Sequence, residues 1–382
     1  MTVPHNLPFL PALLVLVSIL GAMALFLAGQ ILLTGVLVHF LPELSRHDIF
    51  FAVSVDPYYR RAEEARVILR RFRVAIWIHT IIGLAVVFAG IATQHPLIPV
   101  IGILWQIAGA TIAFLRARAK VLPHAIAPTS QREAMLGPRS AGPVYWFLQL
   151  GPFAILGARA EYLRTNWRRI PERFPVHWGL NGEPNGWSTR SLAGVFGPLL
   201  IGFTVCIFIA LFSYAIVHWT RQIRSSGPGA AAEVRFRRVQ LGLLVAVQYF
   251  IAWVFSGVPF LALRSHPAQA PNTGVFLLGT FAFVLALYAV LIHTGQGGAN
   301  LMKAGASSEI LGDDRVTGDL TPDHCWKAGI FYVNANDPAL LVEKRFGIGY
   351  TLNFGRPAAW LFAVVMLAMA AVPLAIALLS AK

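Results

Sequence analysis

The chain has 382 residues, of which 57% are hydrophobic and only 13% charged, and its mean hydropathy is +0.64. Those values exclude an ordinary soluble domain, in which about a quarter of residues are charged, and describe an integral membrane protein. The surplus of 31 Lys and Arg over 17 Asp and Glu fits basic loops against anionic lipid rather than nucleic acid, and two cysteines, Cys206 and Cys325, cannot build a disulfide framework.

Apolar runs of about 20 residues are long enough to cross a hydrocarbon core of roughly 30 Å as helices. Eight are expected, near 9–39, 73–93, 97–115, 144–160, 193–218, 239–263, 275–293 and 357–380. The fourth is short and contains Gly151 and Pro152. The first lacks the basic start of a signal peptide and is too long for one, so it reads as a retained helix, with Pro8 and Pro11 suiting its opening turn. The expected fold is all-α and polytopic, with about eight transmembrane helices, a turn-rich extracytoplasmic cap and small cytoplasmic strand and helix elements. Three regions are expected: 1–143 with three helices and basic inner loops, 144–293 bearing the cap, and 294–382 with a long loop and the final helix.

With eight helices, 23 of the 31 Lys and Arg fall on one set of alternating loops, counting Arg73 at a span edge, and 8 on the other. The positive-inside bias then places both termini outside.

The first inner loop contains FFAVSVDPYYRRAEEARVILRRFR. Phe50 to Val55 reads as a strand, and Asp56 with Pro57 as the N-cap and first position of a helix that runs into the second span. Within the spans no Asp or Glu lies far from an end, which disfavours carboxylate-coupled transport. His79, Gln30, Gln106, Gln149, Gln248 and Tyr249 remain, and they read mainly as interhelical hydrogen-bonding and packing groups.

Between the fourth and fifth spans lies NWRRIPERFPVHWGLNGEPNGWSTRS, residues 166 to 191. Pro171 and Pro175 force the chain out of the preceding helix and keep Phe174 extended. Val176, His177 and Trp178 form a brief extended segment. Asn181-Gly182 and Asn185-Gly186 suit tight turns, with Pro184 stiffening the link. Trp178 and Trp187 suit the headgroup belt. The outcome is a rigid hairpin-like cap, in which Pro175, His177, Trp178, Asn181, Gly182, Glu183, Pro184, Trp187 and Arg190 are the candidates to contact a ligand or gate the bundle.

The loop at 220–238 reads as a flexible Ser-Gly-Pro-Ala linker between basic flanks. The last inner loop holds WKAGIFYVNANDPALLVEKRFGIGYTLNFGRP, residues 326 to 357. It repeats the earlier grammar: a strand at 330–333, Asp337-Pro338, a short helical run closed by Gly347, and Pro357 opening the final span. The strands at 50–55 and 330–333 are expected to pair into one cytoplasmic platform. Trp326, Tyr332, Asn334, Asp337, Pro338, Lys344, Arg345 and Asn353 are its candidate residues. GIGYTLNFG lacks the order of a phosphate loop and reads as a Gly-rich turn. Asp323, His324 and Cys325 are contiguous, a poor arrangement for a metal. No catalytic motif is recognised, so the expectation is a non-enzyme without metal or cofactor.

The outer motif, carried by Pro171, Pro175, His177, Trp178, Asn181, Gly182, Glu183, Pro184, Gly186, Trp187 and Arg190, resembles the membrane domain of unknown function 1648. That domain recurs in Sdp-type bacteriocin immunity proteins. The segment from Trp326 is similar to a second short bacterial domain of unknown function, 5808. The resemblance implies a bacterial cytoplasmic-membrane protein that protects against a secreted membrane-active peptide and signals by holding a small repressor at the membrane. The expected function is therefore envelope sensing or immunity. Its partners are the lipid bilayer, a membrane-active peptide outside and a small regulatory protein inside, with no nucleic acid. The alternative is a permease or transporter component gated by the cap.

Overall fold

A computed structural model describes residues 9–46, 48–93, 95, 97–127, 143–178, 184–220, 227–263, 273–298, 300 and 321–380. Three long helices open the chain: α1 (Phe9–Leu44), α2 (Glu63–Ala92) and α3 (Leu97–Val121). Helices α2 and α3 approach closely where Gly83 faces Gly102, since a methyl group added at Gly102 would press on the Gly83 carbonyl and Val87. Small residues permit such contacts between apolar helices, where packing rather than water exclusion holds them together. Gln106 donates to the Ile31 carbonyl at 2.8 Å and to Thr80 Oγ1 at 3.1 Å, linking all three helices. The expected start of α2 is corrected: Asp56 Oδ1 accepts from the Tyr58 amide at 2.8 Å in a turn, and the N-cap is Ala62.

Among the described residues the remaining α-helices are α4 (Pro143–Leu148), α5 (Leu150–Thr165), α6 (Leu192–Trp219), α7 (Gly227–Gly257), α8 (Thr273–Thr294) and α9 (Pro357–Ser380). The linker reading of 220–238 is corrected from residue 227 onward, which is helical. Gln248 donates to the Cys206 carbonyl at 2.8 Å and so joins α7 to α6. Six helices among the described residues are long and apolar enough to cross a membrane, against the eight expected. Neither the fourth expected span, divided into α4 and α5 at Gln149, nor α9 is among them. Packing nonetheless carries α4–α5 along the bundle: Tyr145 lies in a core with Ala215 and Ile216 near the end of α6, and Leu163 in one with Val195 and Leu199 near its start.

Among the described residues, eight short strands form four antiparallel pairs. At one end of α6, β3 (Arg173–Trp178) pairs with β4 (Pro184–Thr189). At its other end lie β1 (Ile49–Phe50) with β2 (Val53–Ser54), β5 (Trp326–Lys327) with β6 (Phe331–Tyr332), and β7 (Leu341–Glu343) with β8 (Tyr350–Leu352). The single strand expected over 50–55 is a tight hairpin, because Phe51 and Ala52 both take positive φ, 46° and 61°. Nor do 50–55 and 330–333 pair. Their hairpins meet by the turns, with Gly329 set so close to Ala52 that an added methyl would come within 2.9 Å of its Cβ. The helical run expected after Pro338 is instead β7, a turn at Gly347 and β8.

Candidate functional site

The hairpin between α5 and α6 is built around Phe174. Its side chain is buried beside Leu163, Ile170, Val195 and Leu199, so the first strand is plugged into the ends of two helices. Trp167 stacks on Phe196 with ring centroids 5.9 Å apart and planes 3° from parallel. The Arg190 amide donates to the Glu172 carbonyl at 2.9 Å, and its guanidinium donates to the Ile170 carbonyl at 2.9 Å and pairs with Glu172 at 3.7 Å. Ser191 caps α6 by accepting from the Gly194 amide at 3.0 Å, a standard use of serine at this position. A side chain at Gly194 would collide with the Thr189 carbonyl, so the hairpin lies directly on the first turn of α6.

Within the hairpin, Pro175 pairs with Trp187, His177 with Gly186 and Trp178 with Pro184. The register shifts twice, leaving Val176 over on one strand and Asn185 on the other. The two irregularities offset each other, and such bulges redirect side chains along a strand. Asn185-Gly186 is thus corrected from a turn to a position inside β4. Asn181, Gly182 and Glu183 lie outside the described residues. Pro175 is buried, while Trp187 is exposed with the Arg173 guanidinium 5.0 Å from its ring centre. What the hairpin offers outward is therefore an aromatic–cation pair held on a plugged strand.

The platform at the other end is polar inside. Asn353 donates to three carbonyls, those of Asn334 (2.8 Å), Asp337 (2.9 Å) and Ala339 (3.1 Å). Its Oδ1 accepts from the amides of Asn334 at 3.0 Å and Gly355 at 3.1 Å. Tyr332 donates to Asp337 Oδ2 at 3.1 Å and accepts from Asn334 at 3.0 Å. Five of the expected residues thus meet in two linked clusters, since Trp326 packs 5.1 Å from the Tyr332 ring. Arg345 is fully buried, paired with Asp323, donating to Thr321 and lying 5.2 Å over Trp326. Pro338 is exposed beside these clusters, and Lys344 is half-buried, its ammonium pushed below its ordinary value by burial.

Several structural residues here were not among the site candidates read from sequence. Asp323 Oδ1 also accepts from Ser54, from the amide at 3.3 Å and the hydroxyl at 3.2 Å, tying β2 to a segment 269 residues away. Arg118 donates to the Ala52 carbonyl at 2.6 Å. Phe346 enters the three-helix core, 4.2 Å from the Phe114 ring. On the α7 side, Gln296 and Gly349 exchange two hydrogen bonds of 3.1 and 2.8 Å. Glu233 pairs with Arg46 at 3.6 Å. Tyr350 is held above its ordinary value chiefly by burial and then by the Glu343 carboxylate, with Arg237 as a hydrogen-bond partner acting the other way. One signal was available: an arginine such as Arg118, late in an apolar helix, needs a partner.

The family model of a domain of unknown function (DUF1648) matches residues 162–202, and that of a family of unknown function (DUF5808) matches residues 335–360. The first match runs from the end of α5 through the hairpin into α6. The second covers β7, β8 and the start of α9. No curated protein and no solved structure matches the chain. The chain is therefore a multi-pass membrane-type protein that carries both of the domains its two motifs resemble, one on the hairpin and one on the platform.

Proposed function

We propose that the protein is a non-enzymatic sensor or immunity protein, in which the hairpin engages a membrane-active peptide and the platform reports to a small regulatory protein. The observation that carries this reading is α6. Its first turn lies against the hairpin at Gly194, and its last residue, Trp219, leads directly to Thr220, which bridges to Leu341 of β7. A continuous 28-residue helix therefore links the two motif-bearing regions over about 40 Å. The basic bias of the platform loops supports a cytoplasmic platform and an outward hairpin. The passage of α4–α5 from one end of α6 to the other supports eight crossings.

The test is made in the full-length protein. His177→Ala, Trp178→Ala and Trp187→Ala are expected to reduce survival, or the output of a transcriptional reporter, when cells meet a membrane-active peptide. An unchanged response in variants present at normal level would reject the proposal. Substrate-dependent flux in proteoliposomes would put transport in its place.

A further inference from the structure

Away from both regions, a groove of about 630 Å³ runs along the outward face of α2 beside α1. Its lining repeats at helical spacing and divides in two along the helix axis. Arg66, Arg70 and Arg73, with Leu69 among them, form the part nearest the start of α2, and Val74, Trp77, Ile78 and Ile81 form the part that follows, with His39 of α1 alongside. From Arg70 to Ile81 the groove extends about 16 Å along the helix. Val74, Ile78 and Ile81 are each more than half exposed, although they belong to a helix long and apolar enough to span a membrane.

The three arginines differ in what they already bind. Arg66 donates to the Arg61 carbonyl at 3.2 and 2.8 Å and pairs with Glu63 at 3.3 Å. Arg73 pairs with Glu43 of α1. Arg70 is exposed and forms no ion pair among the described residues. The indole of Trp77 donates to His39 Nδ1 at 3.2 Å, which fixes its ring across the junction between the basic and apolar parts.

We infer that this groove is a binding site for an anionic phospholipid, its phosphate held at Arg70 with Arg66 and Arg73 alongside, and its acyl chain laid over Trp77, Ile78 and Ile81. The basic part matches a charged headgroup, since a guanidinium offers several donors to phosphate oxygens. The apolar part matches hydrocarbon, and it continues from the headgroup end in the direction an acyl chain must take. A soluble anion would use only the first part and leave the second without a role. Trp77 stands where the two media meet, as interfacial tryptophans do.

The purified full-length protein, extracted into mild detergent and offered equal amounts of phosphatidylglycerol and phosphatidylcholine, is read by native mass spectrometry. Preferential retention of phosphatidylglycerol is expected. Arg70→Gln should lower that preference about fivefold, the effect of removing one cation near an anionic headgroup, and Arg70→Lys should restore most of it. Arg168→Gln, an equal loss of charge near the hairpin, should leave it unchanged. Ile78→Ser with Ile81→Ser should lower retention of the lipid while leaving binding of inorganic phosphate unaffected. A preference unaltered by Arg70→Gln would overturn the site, and so would displacement of the lipid by inorganic phosphate at equal concentration. Because these side chains are exposed, the variants are expected to fold.

Discussion

The hairpin and the platform sit at opposite ends of α6 and are held by different forces. The hairpin depends on one apolar plug, Phe174, and on bonds made within its own neighbourhood, such as Arg190 to Ile170, 20 residues apart. In the platform, buried polar groups are joined across most of the chain: Ser54 to Asp323 spans 269 residues, and Ser45 to the Arg345 carbonyl spans 300. An apolar plug loses energy in proportion to what is removed. A buried polar network loses more than the missing bond, because the partners left behind stay desolvated.

The contrast can be broken most severely at Arg345. Arg345→Ala removes a fully buried guanidinium and leaves Thr321 and the half-buried Asp323 without that donor, and an expected loss of about 3 kcal/mol should appear in thermal unfolding of the purified protein. A change below 1 kcal/mol would show that the network does not hold the platform. Phe174→Ala comes next, at about 3 kcal/mol, and its effect should stay local. Hydrogen exchange should rise over 173–189 and remain as in the parent over 326–356, whereas Arg345→Ala should give the reverse pattern.

Alkaline titration sharpens the comparison further, since the platform buries Tyr350 and half-buries Lys344. Folded Tyr350 keeps its proton above the ordinary value of 10.0. Above that pH the unfolded chain releases the proton first, so stability is constant below it and falls as pH rises beyond it. Tyr350→Phe should flatten part of that fall in unfolding curves taken from pH 9 to 11. Lys344 acts with the opposite sign: between its lowered value and the ordinary 10.5, the unfolded chain retains a proton that the folded one has lost, and stability rises with pH. The smallest effect on stability belongs to Trp187→Ala. It removes an exposed cation–π contact worth about 0.5–1 kcal/mol, yet under the proposed function it should impair the peptide response. Impairment that tracked stability instead would point to a purely structural tryptophan.

These two regions also differ in how far the sequence discloses them. Pro171, Pro175 and the turn residues act on the chain next to them, so a hairpin-like cap was expected within 166–191, although only Val176 to Trp178 was read as an extended segment and the strands run from 173 to 178 and from 184 to 189. Its error was local too: Asn185-Gly186 has the composition of a turn, but it lies inside β4, with Asn185 bulged opposite the step from His177 to Trp178. In the platform, Trp326, Tyr332, Asn334, Asp337, Arg345 and Asn353 were recognised as a group, but their connections were not. Phe51 and Ala52 adopt positive φ without glycine or asparagine to announce it, so two strands read as one. Leu340 to Lys344 suits a helix as well as a strand by local preference, and pairing with Tyr350 to Leu352 decides. The fourth expected span illustrates the same limit, because hydropathy cannot register the break at Gln149 that divides it into α4 and α5.

The meeting of the two turns at Ala52 and Gly329 has a consequence for the order of assembly. The Ala52 carbonyl receives Arg118 and, at 3.4 Å, Arg345. During synthesis from the N-terminus at about 5–20 residues per second, the second of these cations emerges on the order of 10–50 s after the first. The three-helix body can close on Arg118 alone, with the β1–β2 turn already shaped, and stand ready while the other helices are inserted. Asp323 and Arg345 then arrive in a late segment of the chain and fasten that waiting turn, so a late loop completes a joint begun by an early one.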